Sequence, residues 1–146
     1  MKNEEEKEES TEHQLLHRLC NQILESDNSI RFVGIPNDMG KLIVSKYRND
    51  IVVPMLSEQE IEMLAIESVL RMKTRKDFES KLGKPIYSFT LYEKIKRATI
   101  TLQNKNNNKR YYPILMVSFD IGANHDSIII NKILPIIRGQ QYSTLL

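Results

Sequence analysis

The feature that most constrains the fold is a pair of short segments that are apolar on both faces of a β-strand. The first lies at residues 30–35 and the second at residues 114–117 of a chain of 146 residues. A strand with two apolar faces must be covered on both sides, whereas a strand with a polar face can lie toward a sheet margin. The two segments are therefore predicted to be central neighbours in a sheet with helices on both faces.

Three other segments predict strands further out in the sheet. Residues 42–44 follow the first strand through a turn at residues 36–40, which is typical of a hairpin. The third and fourth strands show period-two alternation. Their apolar sides are Tyr87, Phe89 and Leu91 in the third strand and Ala98, Ile100 and Leu102 in the fourth. A five-stranded antiparallel sheet of order 2-1-5-4-3 satisfies all of these patterns.

Two amphipathic helices are predicted near the ends of the chain. Apolar residues at three- and four-residue spacing indicate a first helix from Thr11 to Asp27. An apolar last helix is expected to be capped by Asn124 or Asp126 and to kink at Pro135. With a long middle helix, the predicted element order is α-β-β-α-β-β-β-α, an α+β fold with helices on both faces of the sheet.

The middle helix is predicted to begin at Ser57, because Ser57 and Glu60 match a capping box, and to end at Gly83 before Pro85. At 100° per residue it has two apolar faces. The broad face consists of Ile61, Leu64, Ala65, Val69 and Met72. The opposite side carries Met63, Ile66 and Leu70.

This second apolar side is either further core under a neighbouring loop or a contact with another chain. The predicted strand at residues 86–91 lies at the sheet edge, where it can pair with a copy of itself. The second interpretation gives a homodimer interface formed by Met63, Ile66, Leu70, Tyr87 and Phe89.

Composition predicts one soluble domain over residues 13–138, since 40% of the residues are hydrophobic and 27% are charged. Residues 1–12 contain six Glu and two Lys and are expected to be a disordered tail or a frayed helical extension. Residues 139–146 have no clear pattern and are expected to form a C-terminal tail. A single cysteine, no signal segment and no apolar run near about 18 residues favour a cytoplasmic location without membrane contact.

Two clusters contain residue types that support chemistry. His13, His17 and Cys20 have helical spacing that suits zinc, but Cys20 shares its face with leucines and isoleucine, so a buried thiol is favoured. Asp120 and the run His125-Asp126-Ser127 contain the groups of acid/base or nucleophilic catalysis, but this composition is also that of a helix cap. Asn37-Asp38 with Gly40 is interpreted as turn chemistry. Because phosphate-binding glycine motifs are also absent, we expect neither enzymatic activity nor a cofactor or metal.

A basic segment offers a different function. Residues 94–110 contain Lys94, Lys96, Arg97, Lys105, Lys109 and Arg110 and no acid. A basic ribbon near tyrosines can follow nucleic-acid phosphates. A solvated hairpin is favoured, since the net charge is +2 and the pI is 8.6.

The predicted first hairpin, Phe32-Val33-Gly34-Ile35-Pro36-Asn37-Asp38-Met39-Gly40-Lys41-Leu42-Ile43, resembles the strand–turn–strand of the roadblock/dynein-light-chain family with its Asp-x-Gly turn. The helix start at Leu56–Glu60 and the basic run at Arg71–Arg75 before Phe78 resemble, more narrowly, an uncharacterised archaeal group of roadblock-like proteins. The resemblance covers residues 13–138 and implies an α+β fold of the roadblock/profilin-like class. It implies a homodimer with paired long helices and joined sheets, which acts as a scaffold or regulator of small GTPases and has no chemistry of its own.

Two other functions stay open at this point. A small-molecule sensor of the PAS type also has a five-stranded antiparallel sheet, although a single long helix between the second and third strands argues against it. A nucleic-acid-binding module would use the basic hairpin. An enzyme is the least favoured class.

Overall fold

The elements of the chain follow the predicted order. The computed structural model describes residues 4–102 and 112–144, with side chains described for Glu4, residues 11–102 and residues 112–139. The first half comprises α1 (Glu4–Ser26), β1 (Ile30–Pro36), β2 (Leu42–Tyr47), α2 (Glu58–Arg75), a 3-10 turn (Lys76–Phe78) and α3 (Glu79–Leu82). The second half comprises β3 (Tyr87–Leu91), β4 (Ile95–Thr101), β5 (Ile114–Asp120), α4 (His125–Ile128), a π-helical turn (Ile129–Ile133) and α5 (Leu134–Thr144). We call the continuous segment from α4 to α5 the C-terminal helix.

The five strands form one antiparallel sheet of order β2-β1-β5-β4-β3, which confirms the predicted topology. Six of the seven residues in each of β1 and β5 are buried, as their apolar composition predicts for the centre of a sheet. Strands β2 and β3 are the two edges. The edges are more exposed because one of their sides lacks a neighbouring strand.

Helices cover both faces of the sheet. On one face, α1 and the C-terminal helix pack against β1 and β5 through a large cluster that includes Ile23, Val33, Val117 and Ile133. On the other face, α2 packs through a smaller cluster, which consists of Phe32, Ile61, Ala65, Val69, Met72, Ile114 and Met116. Of the broad α2 face predicted from the sequence, Leu64 alone is only partly buried.

The start of α2 is the predicted capping box. Ser57 Oγ accepts a hydrogen bond from Glu60 N at 3.2 Å, and Glu60 Oε1 accepts one from Ser57 N at 3.0 Å. Regular α-helix ends at Arg75, earlier than predicted. The 3-10 turn and α3 follow directly and extend the helical segment to Leu82. Gly83 then takes a positive φ of 82°, which glycine adopts without steric cost, and it ends the helical segment where the sequence predicted.

Both terminal helices are longer than predicted. Helix α1 begins at Glu4 instead of near Thr11, and α5 continues through the segment expected to be a tail and ends at Thr144. Where the sequence predicted a kink at Pro135, a π-helical turn precedes the proline, which has no N–H to donate to the preceding turn. No helix among the described residues is long and apolar enough to cross a membrane.

The turn of the first hairpin requires glycine at one position. Asn37 Oδ1 accepts hydrogen bonds from Met39 N at 2.9 Å and from Lys41 N at 3.0 Å, which closes the turn. Gly40 has a φ of +83°, and a Cβ there would lie 2.7 Å from the Cα of Ile66 in α2. The turn therefore packs directly against the backbone of α2.

Replacing this glycine is expected to destabilise the fold. Gly40→Ala should lower the free energy of unfolding by about 1–3 kcal/mol, because the alanine is strained at positive φ and displaces α2. Urea unfolding followed by circular dichroism measures the change. Gly122→Ala is the matched control, since nothing lies within 4 Å of the added Cβ. Equal stabilities of the two variants would contradict the close packing of Gly40 against Ile66.

Candidate interaction surface

The second apolar side of α2 lies on the molecular surface. Met63, Ile66 and Leu70, here called the outer stripe, are 70%, 47% and 58% exposed. Ile66 is the least exposed of the three because the Gly40 turn covers part of it. The sequence allowed two interpretations of these residues, further core under a loop or a contact with another chain. Their exposure rules out the first interpretation. A row of large exposed apolar side chains is typical of interaction sites.

Strand β3 presents an open backbone edge close to α2. Thr101 N donates a hydrogen bond to Ile86 O, and Tyr92 N donates one to Ile95 O, both at 3.0 Å. The backbone N–H and C=O groups of the even-numbered residues from 86 to 92 therefore point toward β4. In an antiparallel pair the bonding groups of successive residues alternate in direction. The N–H and C=O groups of Tyr87, Phe89 and Leu91 therefore point away from the sheet.

The side chains of β3 fix the strand on the remainder of the fold. The Tyr87 hydroxyl donates a hydrogen bond to the Asp126 carboxylate, and the Phe89 ring stacks on His125 with centroids 3.7 Å apart and planes 3° from parallel. On the other face, Arg75 Nη1 at the end of α2 donates to Ser88 Oγ at 2.5 Å. Of the residues predicted for an interface, Tyr87 and Phe89 accordingly offer their backbone, and the outer stripe offers side chains.

A groove of about 640 Å³ lies between α2 and the β3–β4 turn. Its apolar lining consists of Met55, Leu56, Met63, Leu64, Tyr92 and Ile95. Glu60, Glu67 and Glu93 contribute acidic groups, and Lys94 and Arg97 contribute basic ones. Sequence reasoning did not identify this groove, because the apolar residues that form it come from three segments and show no common period.

Arg97 is the partly buried cation of this groove. Burial lowers the pKa of its guanidinium. Among the residues with described side chains it makes no ion pair, in contrast to Arg31 and Arg48. The groove therefore contains a desolvated positive charge next to its apolar walls.

The described part of the basic segment does not form one basic face. Lys96 Nζ donates to Ala123 O at 2.7 Å beside the C-terminal helix, whereas the next residue, Arg97, faces the α2 side. Lys94 is exposed at the turn. The other predicted cations, Lys105, Lys109 and Arg110, lie outside the described residues. Neighbouring residues of a strand point to opposite faces, which explains the separation.

Of the residues considered for catalysis, Asp120, Asp126 and Ser127 form hydrogen bonds within the fold. The buried Nδ1 of His125 has no hydrogen-bond partner among the described residues. Asp120 accepts hydrogen bonds from Arg31 at 3.0 Å and from Arg48 at 2.7 Å, which joins β5 to β1 and to the end of β2. Burial raises the pKa of Asp120, but these two hydrogen bonds outweigh it and hold the pKa below its ordinary value. Asn124 Oδ1 accepts from Ser127 N at 3.3 Å, so Asn124 is the cap of the C-terminal helix, one of the two caps predicted.

The residues considered for zinc do not form a metal site. Cys20 is fully buried in the larger core cluster, and burial raises the pKa of its thiol to about 12. The rings of His13 and His17 pack edge to face, with centroids 5.3 Å apart. Within the described residues, no group of three or more His, Cys, Asp or Glu side chains is arranged to hold a metal ion. The interpretation of Cys20 as a buried thiol is confirmed.

Comparison with known proteins identifies the fold. No protein-family model and no curated protein matches the sequence. The structure is similar to Myxococcus xanthus MglB, with a TM-score of 0.65 at 14% identity over 100% of this chain and 96% of that one. It is also similar to the gliding protein MglB of Thermus thermophilus, with a TM-score of 0.60 at 10% identity over 87% and 91% of the two chains.

A further similar structure is the Roadblock/LC7 domain of Streptomyces avermitilis, with a TM-score of 0.61 at 8% identity over 86% of this chain and 95% of that one. Identities this low show the fold and not the function. The chain therefore has the fold of Roadblock/LC7 domains, which confirms the fold implied by the first hairpin.

Proposed function

We propose that this chain is a non-enzymatic, homodimeric scaffold of the roadblock fold whose protein partner is a small GTPase. The observation that carries the proposal is the combination of the outer stripe with the open edge of β3. The Arg75–Ser88 hydrogen bond brings the end of α2 next to β3, so the two features are parts of one surface. A second copy that pairs along β3 would bring its own α2 next to the first.

The charges of α2 favour an antiparallel pair of these helices. The first half carries acids, namely Glu58, Glu60 and Glu62, and Glu67 lies just past the midpoint. The second half carries bases, namely Arg71, Lys73 and Arg75. Under two-fold symmetry an antiparallel arrangement places each acidic half opposite a basic half and opposes the helix dipoles. A parallel arrangement would place like charges together.

Burial of the outer stripe is comparable in free energy to the cost of forming a dimer. Six partly exposed side chains, three from each copy, contribute roughly 6–12 kcal/mol on burial. Association itself costs about 4–15 kcal/mol in lost rigid-body freedom. The backbone hydrogen bonds of the β3 edge and further apolar contacts would add to this gain.

The state of association in solution tests the dimer. Light scattering should give a dimer mass for the wild type and a folded monomer for Met63→Glu/Leu70→Glu, because two buried carboxylates per chain would be unpaired in the interface. Circular dichroism confirms folding. Ile121→Glu/Ile130→Glu replaces two other exposed apolar residues, 45% and 44% exposed, which belong neither to α2 nor to β3. This control should remain dimeric, and a monomeric wild type would contradict the proposal.

The GTPase partner is supported by the resemblance of residues 32–43 to the roadblock family, whose members act on small GTPases. The dimer should bind a purified small GTPase of the same organism with at least about tenfold preference for one nucleotide state, a difference of about 1.4 kcal/mol. Calorimetry with the GTPase loaded with GDP or with a non-hydrolysable GTP analogue measures this preference.

The Met63→Glu/Leu70→Glu variant separates the two parts of this proposal. Loss of GTPase binding in the monomeric variant, with binding retained by Ile121→Glu/Ile130→Glu, would indicate that the partner recognises the dimer. Absence of binding in both nucleotide states for every small GTPase of that organism would contradict the GTPase assignment.

We place the protein in the cytoplasm, which the single buried thiol supports because an oxidising compartment favours paired cysteines. The domain corresponds to residues 13–138, and residues 4–12 and 139–144 continue its terminal helices. Nucleic-acid binding is not proposed, since Lys96 and Arg97 point to opposite faces.

A further inference from the structure

The groove between α2 and the β3–β4 turn has an apolar lining that the described residues leave open. Helix α2 crosses the sheet, with Ile61 near Phe32 of β1 and Arg75 bonded to Ser88 of β3. The N-terminal half of α2 therefore lies away from the β3 edge, and a wedge-shaped space remains beside Tyr92. A space of this size is large enough for two bulky side chains.

Large exposed apolar residues at the opposite end of β3 have the size and polarity to fill this groove. Phe78, Leu82 and Ile86 are 56%, 82% and 53% exposed and lie in the connection from α2 to β3. They cannot reach the groove of their own chain. Tyr92 is six positions after Ile86 along an extended strand, a distance of about 20 Å.

The open edge of β3 defines where a second copy would place these residues. A two-fold axis through Phe89 pairs Phe89 with the partner's Phe89 and Tyr87 with the partner's Leu91, and uses the three residues whose backbone groups point outward. In this register the partner subunit's Ile86 lies opposite Tyr92. The connection that precedes it in the partner then reaches the mouth of the groove.

The chemistry of the two surfaces is complementary. Residues 73–84 carry five basic and two acidic side chains, whereas the groove is lined by three acidic and two basic ones. The methionine side chains at positions 55 and 63 adapt to the shape of an incoming aromatic ring. The connection also carries the acids Asp77 and Glu79, whose charge is opposite to that of Arg97 in the groove.

We propose that each groove is completed by the partner subunit's Phe78 and Leu82, so that the dimer contains two reciprocal apolar sites formed by both chains. This inference rests on the proposed dimer and adds a contact between the groove of one chain and the α2–β3 connection of the other. Because the sites are reciprocal, each chain contributes one groove and fills another. These contacts supplement the outer stripe and the β3 hydrogen bonds.

A fluorescent reporter at position 82 tests this directly, because the sequence contains no tryptophan. In the full-length Leu82→Trp protein, emission should be blue-shifted in the dimer and should shift to the red when Met63→Glu/Leu70→Glu is added. Ile121→Trp, at an exposed site away from the groove, should show no shift between the two states.

A nitroxide label on the other chain shows that the contact is between subunits. Leu82→Trp chains mixed with an excess of chains that carry a nitroxide at Tyr92→Cys should lose most of their emission, whereas a nitroxide at Ile130→Cys should leave it unchanged. Cys20 is buried and its thiol pKa is raised to about 12, so the label attaches to the introduced cysteine.

The outcomes separate this inference from the proposed function. A dimer whose tryptophan emission is solvent-like and unquenched would overturn the groove contact and leave the dimer intact. A monomeric wild type would overturn both. As a second variant, Leu82→Ser should weaken the dimer by about tenfold or more, whereas Met39→Ser, at a 77% exposed residue of the hairpin turn, should not. Equal dimer affinities of these two variants would also contradict the contact.

Discussion

The structure depends on the burial of β1 and β5 on both of their faces. Each strand has apolar residues at successive positions, so its side chains point alternately into two different cores. One core requires α1 and the C-terminal helix, and the other requires α2. Because these two strands occupy the centre, the remaining strands are placed outward, and β3 becomes an edge.

This arrangement has a consequence for α2. The helix covers the central strands with Ile61, Ala65, Val69 and Met72, and its crossing direction leaves the N-terminal half apart from β3. The opposite side of the helix is also apolar and is exposed, although no part of the described fold packs on it except the Gly40 turn at Ile66. An open strand edge, an exposed apolar stripe and an apolar groove therefore lie together. Their common explanation in this account is a second copy of the chain.

The sequence predicted most of the fold because local patterns record burial. The two-sided strands predicted the sheet order, and Ser57 with Glu60 predicted the start of α2 to the residue. The outer stripe was also recognised from its spacing, although the sequence could not distinguish a surface from a covered core. Helix ends were less well predicted, since the polar residues near Glu4 and beyond Gly139 have no apolar period to mark a boundary. Contacts between distant segments, such as Asp120 with Arg48 and the groove beside Tyr92, depend on tertiary geometry that no short motif records.

The central claim is that the edge of β3 pairs with the same edge of a second copy. Hydrogen exchange of the Tyr87, Phe89 and Leu91 amides, measured by NMR at concentrations above and below dissociation, tests it most directly. These amides point to the open edge in the single chain, so the account predicts slow exchange in the dimer and fast exchange after dilution, with the amides of β5 protected throughout. Fast exchange of all three amides in a sample with a dimer mass would contradict the account.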